Sequence, residues 1–243
     1  VARRYDRRVS DTDPGARRPR TGRPRADDRP LERPPREEIV AVASRLFAER
    51  GVGATTMSEI ARRSGLRQSS VYYYFRDKEA ILGEIAASAN RVVLDHLERV
   101  EADGGEPALR LYRLVRLDAR QLCEFPFDIN ELYRLSALQE ERFAAFWAER
   151  QALNDRVARI VGEGVAAGTL AADDPRLTAL VLLSNDEGVQ NWYRPVGALR
   201  QLGGEHYAPE AVATFVADLA LRALLRDRRR LPALREEARR RDP

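Results

Sequence analysis

Cysteine occurs once in the 243 residues, as Cys123, so no intrachain disulfide can form and a reducing compartment suits the chain. Histidine occurs twice, as His96 and His206, far apart and with no cysteine at ligand spacing. A His/Cys metal site is therefore not expected, and no cofactor is assigned. Lysine also occurs once, as Lys78, which leaves arginine to carry almost all positive charge. No apolar run approaches the roughly 18 residues that a membrane span needs. The Arg-, Asp- and Pro-rich opening lacks the apolar stretch of a secretory signal. Phosphate loops, dinucleotide fingerprints and nucleophile elbows are missing as well. Carboxylates such as Asp128, Glu131, Asp186 and Glu187 can be paired on paper for acid-base work. In so acidic a segment they read as solvated or salt-bridged, and no catalytic residue is assigned.

What is present is charge, unevenly placed, and 44% hydrophobic residues, enough for a real core. Residues 1–36 carry a net +6 and residues 37–83 a net +1. Residues 84–225 carry −7 and residues 226–243 return +4. A basic arm ahead of an acidic body suits a protein that meets a polyanion with one end. A solvated tail explains the same charge more plainly.

Periodicity organises the rest. Residues 1–34 have almost no apolar pattern and are expected to be a disordered arm. After Pro34-Pro35, residues Ile39, Val40, Ala43, Leu46 and Phe47 form one helical face, which Gly51 ends. Thr56-Met57-Ser58-Glu59 matches a capping box, Thr56 as N-cap and Glu59 reaching back. That helix is short and stops before Gly65. From Asp77 a long apolar stripe runs to Leu97, and Gly104-Gly105 breaks it before Pro107 starts another helix. Phe125-Pro126-Phe127 predicts a kink or loop, and a long helix follows over about 139–167. Further starts lie at Asp173-Asp174-Pro175 and, after Gly203-Gly204, near Pro209. The fold is all-α, with eight or nine helices, and the Arg-rich residues 227–243 read as a fraying helix or tail.

The informative stretch is local. A helix-turn-helix needs a small residue where two helices cross, a turn glycine, and an apolar residue locking the second helix. Ala61, Gly65 and Val71 meet those needs, with Ile60, Leu66 and Phe75 adding core contacts. With Val71 and Phe75 inward, Ser69 and Tyr73 point away, Ser70 and Tyr72 lie on the flanks, and Gln68 sits at the open N-terminal end. Glutamine can pair with adenine and serine with several base edges. Tyrosine hydroxyls and Lys78 suit phosphate oxygens, as Thr56 does besides its capping role. Packing can claim Tyr74 and part of Tyr72, but not Tyr73.

The string Thr55-Thr56-Met57-Ser58-Glu59-Ile60-Ala61, Ser64-Gly65-Leu66 and Val71 through Leu82 closely resembles the DNA-binding domain of the TetR family of bacterial transcriptional regulators. The resemblance covers about residues 37–85. It implies a three-helix DNA-binding domain (35–83) followed by a helical ligand-binding and dimerisation domain (84–226). It further implies a homodimer on a near-palindromic operator, with residues 67–74 in the major groove. The DNA-contact set is Thr56, Arg67, Gln68, Ser69, Ser70, Tyr72, Tyr73 and Lys78. Arg67 stands where the family usually has serine or threonine, and an arginine there meets phosphate or guanine. The dimer seam would use about 175–193 and 208–225. A repressor released by a small molecule is implied, an acyl-CoA or other hydrophobic compound, acting in the cytoplasm on nucleoid DNA.

Candidate effector contacts are Tyr112, Phe143, Trp147, Asn185, Trp192 and Arg194. Asn185-Asp186-Glu187 interrupts an apolar helix, which puts polar groups toward a cavity or the dimer seam. Asn191-Trp192-Tyr193-Arg194-Pro195 resembles a segment of acyl-CoA-responsive members, its arginine able to receive a phosphate or carboxylate. Core packing accounts for the aromatics equally well. Gly22-Arg23-Pro24-Arg25 resembles an AT-hook that reads a narrow minor groove. Two other classes stay open: a non-specific architectural DNA binder using the basic arms, and a helical enzyme with a regulatory DNA-binding domain.

Overall fold

The computed structural model describes residues 33–125, 129–137, 140–193 and 207–242. The basic arm, including Gly22-Arg23-Pro24-Arg25, lies outside the described residues, as do Arg194, Gly203-Gly204 and His206. Among the described residues the regular structure is helical; the one backbone bridge joins Leu170 to Leu225.

The first helix, α1 (Pro35–Ala54), begins with proline at its first turn and loses helical geometry at Gly51, where φ is 80°. A side chain would be strained there, which is why a glycine interrupts the helix. Helix α2 (Met57–Arg63) is capped by Thr56, whose Oγ1 accepts from the Glu59 amide at 3.2 Å. Gly65, with φ 64°, turns the chain into α3 (Gln68–Tyr74). Asp77 then caps α4 (Lys78–Ala102), accepting from the Ala80 amide at 2.8 Å.

Helices α5 (Pro107–Glu124), α6 (Ile129–Ala137), α7 (Ala144–Ala166), α8 (Pro175–Glu187), α9 (Gln190–Tyr193) and α10 (Pro209–Leu224) build the second domain. The helix expected from about 139 begins instead as a 3-10 turn (Glu140–Phe143) before α7. A last helix, α11 (Leu231–Arg241), occupies the segment that reads as a fraying helix or tail. Its Leu231, Leu234 and Ala238 fall on one helical face and are buried, so the segment docks where composition alone suggested fraying. Its end is also held by charge. The buried Arg113 donates to Asp242 at 2.6 Å and to Asp103 at 2.7 Å, while Arg116 donates to the Asp242 carbonyl at 2.9 Å.

Two apolar cores result, and the boundary expected at residue 83 does not separate them. Helix α4 runs through both. The core beneath α1–α3 also takes in Leu122, Ile129, Leu132, Phe143 and Phe146 from the second domain. The larger core centres on α5, which packs against α4, α7, α8, α10 and α11.

Candidate nucleic-acid interface and interior polar site

The inward side of α3 is fixed by Val71 and Phe75, both buried with Ile60, Ala61 and Leu66. Its outward side carries Gln68, Ser69, Tyr72 (49% exposed) and Tyr73 (67% exposed), with Arg67 exposed at the N-cap. Tyr74 packs partly buried against the core. One expected contact residue is not on that surface. Ser70 is 3% exposed and its Oγ is enclosed without a partner, because 70 precedes Val71 on the side that turns into the core.

Lys78 is also differently employed. Its ammonium donates to the carbonyls of Val52, Gly53 and Thr55, at 2.7, 3.1 and 3.3 Å. A cation at those carbonyls satisfies the otherwise open end of α1. Nor does Glu59 complete the capping box: its carboxylate receives Arg50 at 2.7 Å and Arg62 at 3.6 Å. A guanidinium within reach outcompetes a neutral backbone amide for that carboxylate. Exposed cations are nevertheless present nearby. Arg62, Arg63 and Arg76 stand out from the domain, and Arg76 shares its charge with Asp77 at 3.3 Å.

Of the six residues suggested for the effector, the five that are described do not converge. Tyr112 is buried in the larger core with its hydroxyl on Asp218 at 3.0 Å, and burial with that neighbouring charge pushes its pKa far up. Phe143 belongs to the core under the DNA-binding helices. Trp147 stacks beside Phe146 and Tyr133, and Trp192 packs on the other core. Asn185 is exposed, whereas Asp186 and Glu187 turn inward, since one helical step moves a side chain about 100° around the axis. Aromatic content located packing, not a pocket.

Sequence reasoning missed most of the interior polar cluster. A cavity of about 20 Å³ lies among α4–α8, lined in part by Asn90, Asp118, Gln121, Tyr133, Arg150 and Glu187. Glu187 is an ion pair with Arg150 and accepts from the Tyr133 hydroxyl at 2.6 Å. Burial pushes the Tyr133 phenol up to about 12. Burial also drives the carboxyl pKa values of Asp118 and Asp186 upward, and each acid raises the cost of charging its neighbour. Asp186 is thus neither solvated nor in an ion pair. Asp118 carried a legible signal. It falls in the same helical stripe as Leu111, Leu114, Val115 and Leu122, where a carboxylate needs a reason.

A two-helix element with an outward polar helix, fused to a helical body, defines a helix-turn-helix DNA-binding protein. Comparison gives the family. Residues 39–85 match the model of the bacterial regulatory proteins of the tetR family, and residues 104–224 match the tetracyclin repressor-like C-terminal domain. The transcriptional repressor KstR2 of Rhodococcus jostii is 28% identical over 182 residues, covering 72% of this chain and 88% of that protein. A crystal structure of a regulatory protein in the tetR family from Rhodococcus RHA1 superposes with a TM-score of 0.67 at 25% identity, over 79% of this chain and 97% of that one. AibR in complex with isovaleryl coenzyme A and operator DNA superposes at 0.64, with 22% identity, over 76% and 97%. The chain belongs to the TetR family of bacterial regulatory proteins and is a DNA-binding transcriptional regulator.

Proposed function

We propose that the protein is a repressor that binds a near-palindromic operator as a homodimer and leaves it when a small molecule enters the second domain. The supporting observation is the division of labour in α3. Gln68, Ser69, Tyr72 and Tyr73 are exposed on a helix whose other side is locked into the core. Gln68 reads a base edge near the helix start, and Ser69 and Tyr73 contact the groove. Tyr72, Thr56 and Arg67 hold phosphates, with Arg62, Arg63 and Arg76 supplying the charge first expected of Lys78. The protein works by binding rather than catalysis, in the cytoplasm.

The dimer seam uses the apolar faces of α8 and α10. Leu177, Leu180 and Val181 are exposed at helical spacing on one, and Phe215 (68% exposed) and Leu219 on the other. Large apolar side chains aligned this way are the mark of a covered surface. Relief follows from linkage. DNA favours one spacing of the two recognition helices and the effector another, so each weakens the other. The first core provides the connection, since Ile129 both lines the cavity and packs beneath the DNA-binding helices. The isovaleryl coenzyme A bound by AibR makes acyl thioesters the first compounds to screen.

The test is fluorescence-anisotropy titration against the chain's own upstream intergenic DNA and a scrambled duplex, at two salt concentrations. Preference for the native fragment that survives higher salt is the expected result. Equal binding that fades with salt on both duplexes would sink operator recognition and leave a non-specific electrostatic binder.

A further inference from the structure

The interior polar site has more negative groups than positive ones. Asp186 is wholly buried, and neither carboxylate oxygen has a hydrogen-bond partner. Asp118 faces the cavity from α5, 4% exposed, with Arg150 as its favourable charge at a distance and no hydrogen bond. Gln121 Oε1 is enclosed beside it, also without a partner.

The neighbouring donors with a side-chain hydrogen bond spend it elsewhere. Arg150 Nη2 and the Tyr133 hydroxyl both go to Glu187. Asn90 Nδ2 goes to the Phe146 carbonyl at 3.0 Å and Glu149 at 3.4 Å. Three carboxylates, Asp118, Asp186 and Glu187, therefore share the charge of one arginine, and Glu187 takes it first.

A carboxylate taken from water without a donor is costly, and the cost falls only if it gains a proton or a cation. A proton serves the pair incompletely, since one carboxyl proton makes one donor for several acceptors. A metal ion fits poorly: among the described residues no three His, Cys, Asp or Glu side chains are grouped to hold one. A primary ammonium group supplies both missing quantities at once, one positive charge and three N–H donors. It is also close to a water molecule in size, which is what a cavity of about 20 Å³ admits. The remaining walls are apolar, with Val93, Leu122 and Ile129 beside the polar end.

We propose that this cavity receives the ammonium group of a primary-amine cation, which donates to Asp118 and Gln121 with Asp186 as the charge behind them, while its carbon chain displaces Val93, Leu122 and Ile129 from their present packing. The proposal rests on the ligand-relieved reading above and narrows its effector class. An acyl thioester makes the opposite demand: its carbonyl adds one more acceptor where donors are missing.

The experiment uses the full chain and five probes: n-butylamine, n-butanol, butyrate, butyltrimethylammonium and isovaleryl coenzyme A. Thermal unfolding and operator release are followed for each. At pH 7.5 butylamine should raise the Tm with dose, while butanol, butyrate and the quaternary amine, which has no N–H, should not. Asp118→Asn and Asp186→Asn remove buried charge and should fold at least as well as the parent, yet weaken butylamine by about tenfold or more. Butylamine affinity should also fall between pH 7.5 and 5 as protons compete for Asp118. The groups facing that carboxyl are Asn90 from α4, Tyr133 from α6, Arg150 and Glu149 from α7, and Asp186 and Glu187 from α8. No response to butylamine, or one matched by butanol or the quaternary amine or kept in both variants, overturns the proposal. If isovaleryl coenzyme A then releases the operator from parent and variants alike, the ligand-relieved reading survives without the cation. If butylamine binds through Asp118 but leaves the operator occupied, the site stands and the relief reading falls.

Discussion

The two domains carry their uncommitted polar groups in opposite places. On α3, Gln68 and Ser69 stand in solvent while the frame behind them is packed and bonded. In the second domain Asp118 and Asp186 are enclosed, while α8 turns Leu177, Leu180 and Val181 to solvent instead. An exposed polar group costs nothing while it waits for DNA, so the first domain can be stable and ready at once. A buried one destabilises the fold until something enters to meet it, which is the preference the proposed ligand would draw on.

The sharpest way to break this contrast is to remove the interior cation. Arg150→Ala leaves three acids without any near counter-charge and should cost about 3–5 kcal/mol, read as a fall in the urea midpoint. If stability is unchanged, the interior is wetter than its burial implies. Next comes the apolar face. Leu180→Arg should split the dimer in light scattering and lower operator affinity by about a hundredfold through lost bivalency, with each monomer still helical. On the exposed side, Tyr73→Ala should weaken operator binding by about 1–3 kcal/mol with the Tm unmoved. Loss of fold together with binding would place Tyr73 in the core instead.

Titration separates the two domains further. The raised carboxyls of Asp118 and Asp186 mean that the folded chain binds protons more tightly than the unfolded one there. Their contribution is complete below the unfolded aspartate pKa and is lost as pH rises through the folded value, about 6 for Asp118. Asp186→Asn should therefore stabilise the protein at pH 7.5, by on the order of 1 kcal/mol, and flatten the decline between pH 4 and 7. The smallest effect belongs to Lys78→Met, which should cost about 1 kcal/mol as a lost helix-end contact yet leave the salt dependence of DNA binding unchanged. A shallower salt slope would return Lys78 to the phosphates.

Legibility followed range. Thr56, Gly65, Val71 and Phe75 act on neighbours a few residues away, so spacing alone located α2, the turn and the buried side of α3. The role of Lys78 depends on α1 ending beside it in space, and no local pattern announces that. Glu59 was assigned by motif to a backbone amide, but a guanidinium from α1 arrives first. The interior site was harder, because Asp118, Arg150 and Asp186 come from three helices that only tertiary packing brings together. Even so, Asp118 within an apolar stripe and Asp186 within another were two halves of one clue. Asp118 was passed over, whereas Asn185-Asp186-Glu187 was read as polar groups turned toward a cavity or the dimer seam. The docking of α11 was not legible because its arginines mask a short apolar repeat of Leu231, Leu234 and Ala238.

That last helix bears on how the protein is handled in the laboratory. Asp242 anchors two arginines of α5, the central helix of the larger core, through its side chain and its carbonyl. Loss of Asp242 by proteolysis would take one partner from each guanidinium, leaving Arg113 with Asp103 and Arg116 with Glu210. Intact mass belongs among the quality checks on any preparation, ahead of thermal data, because loss of the final turn would imitate a destabilising mutation in α5.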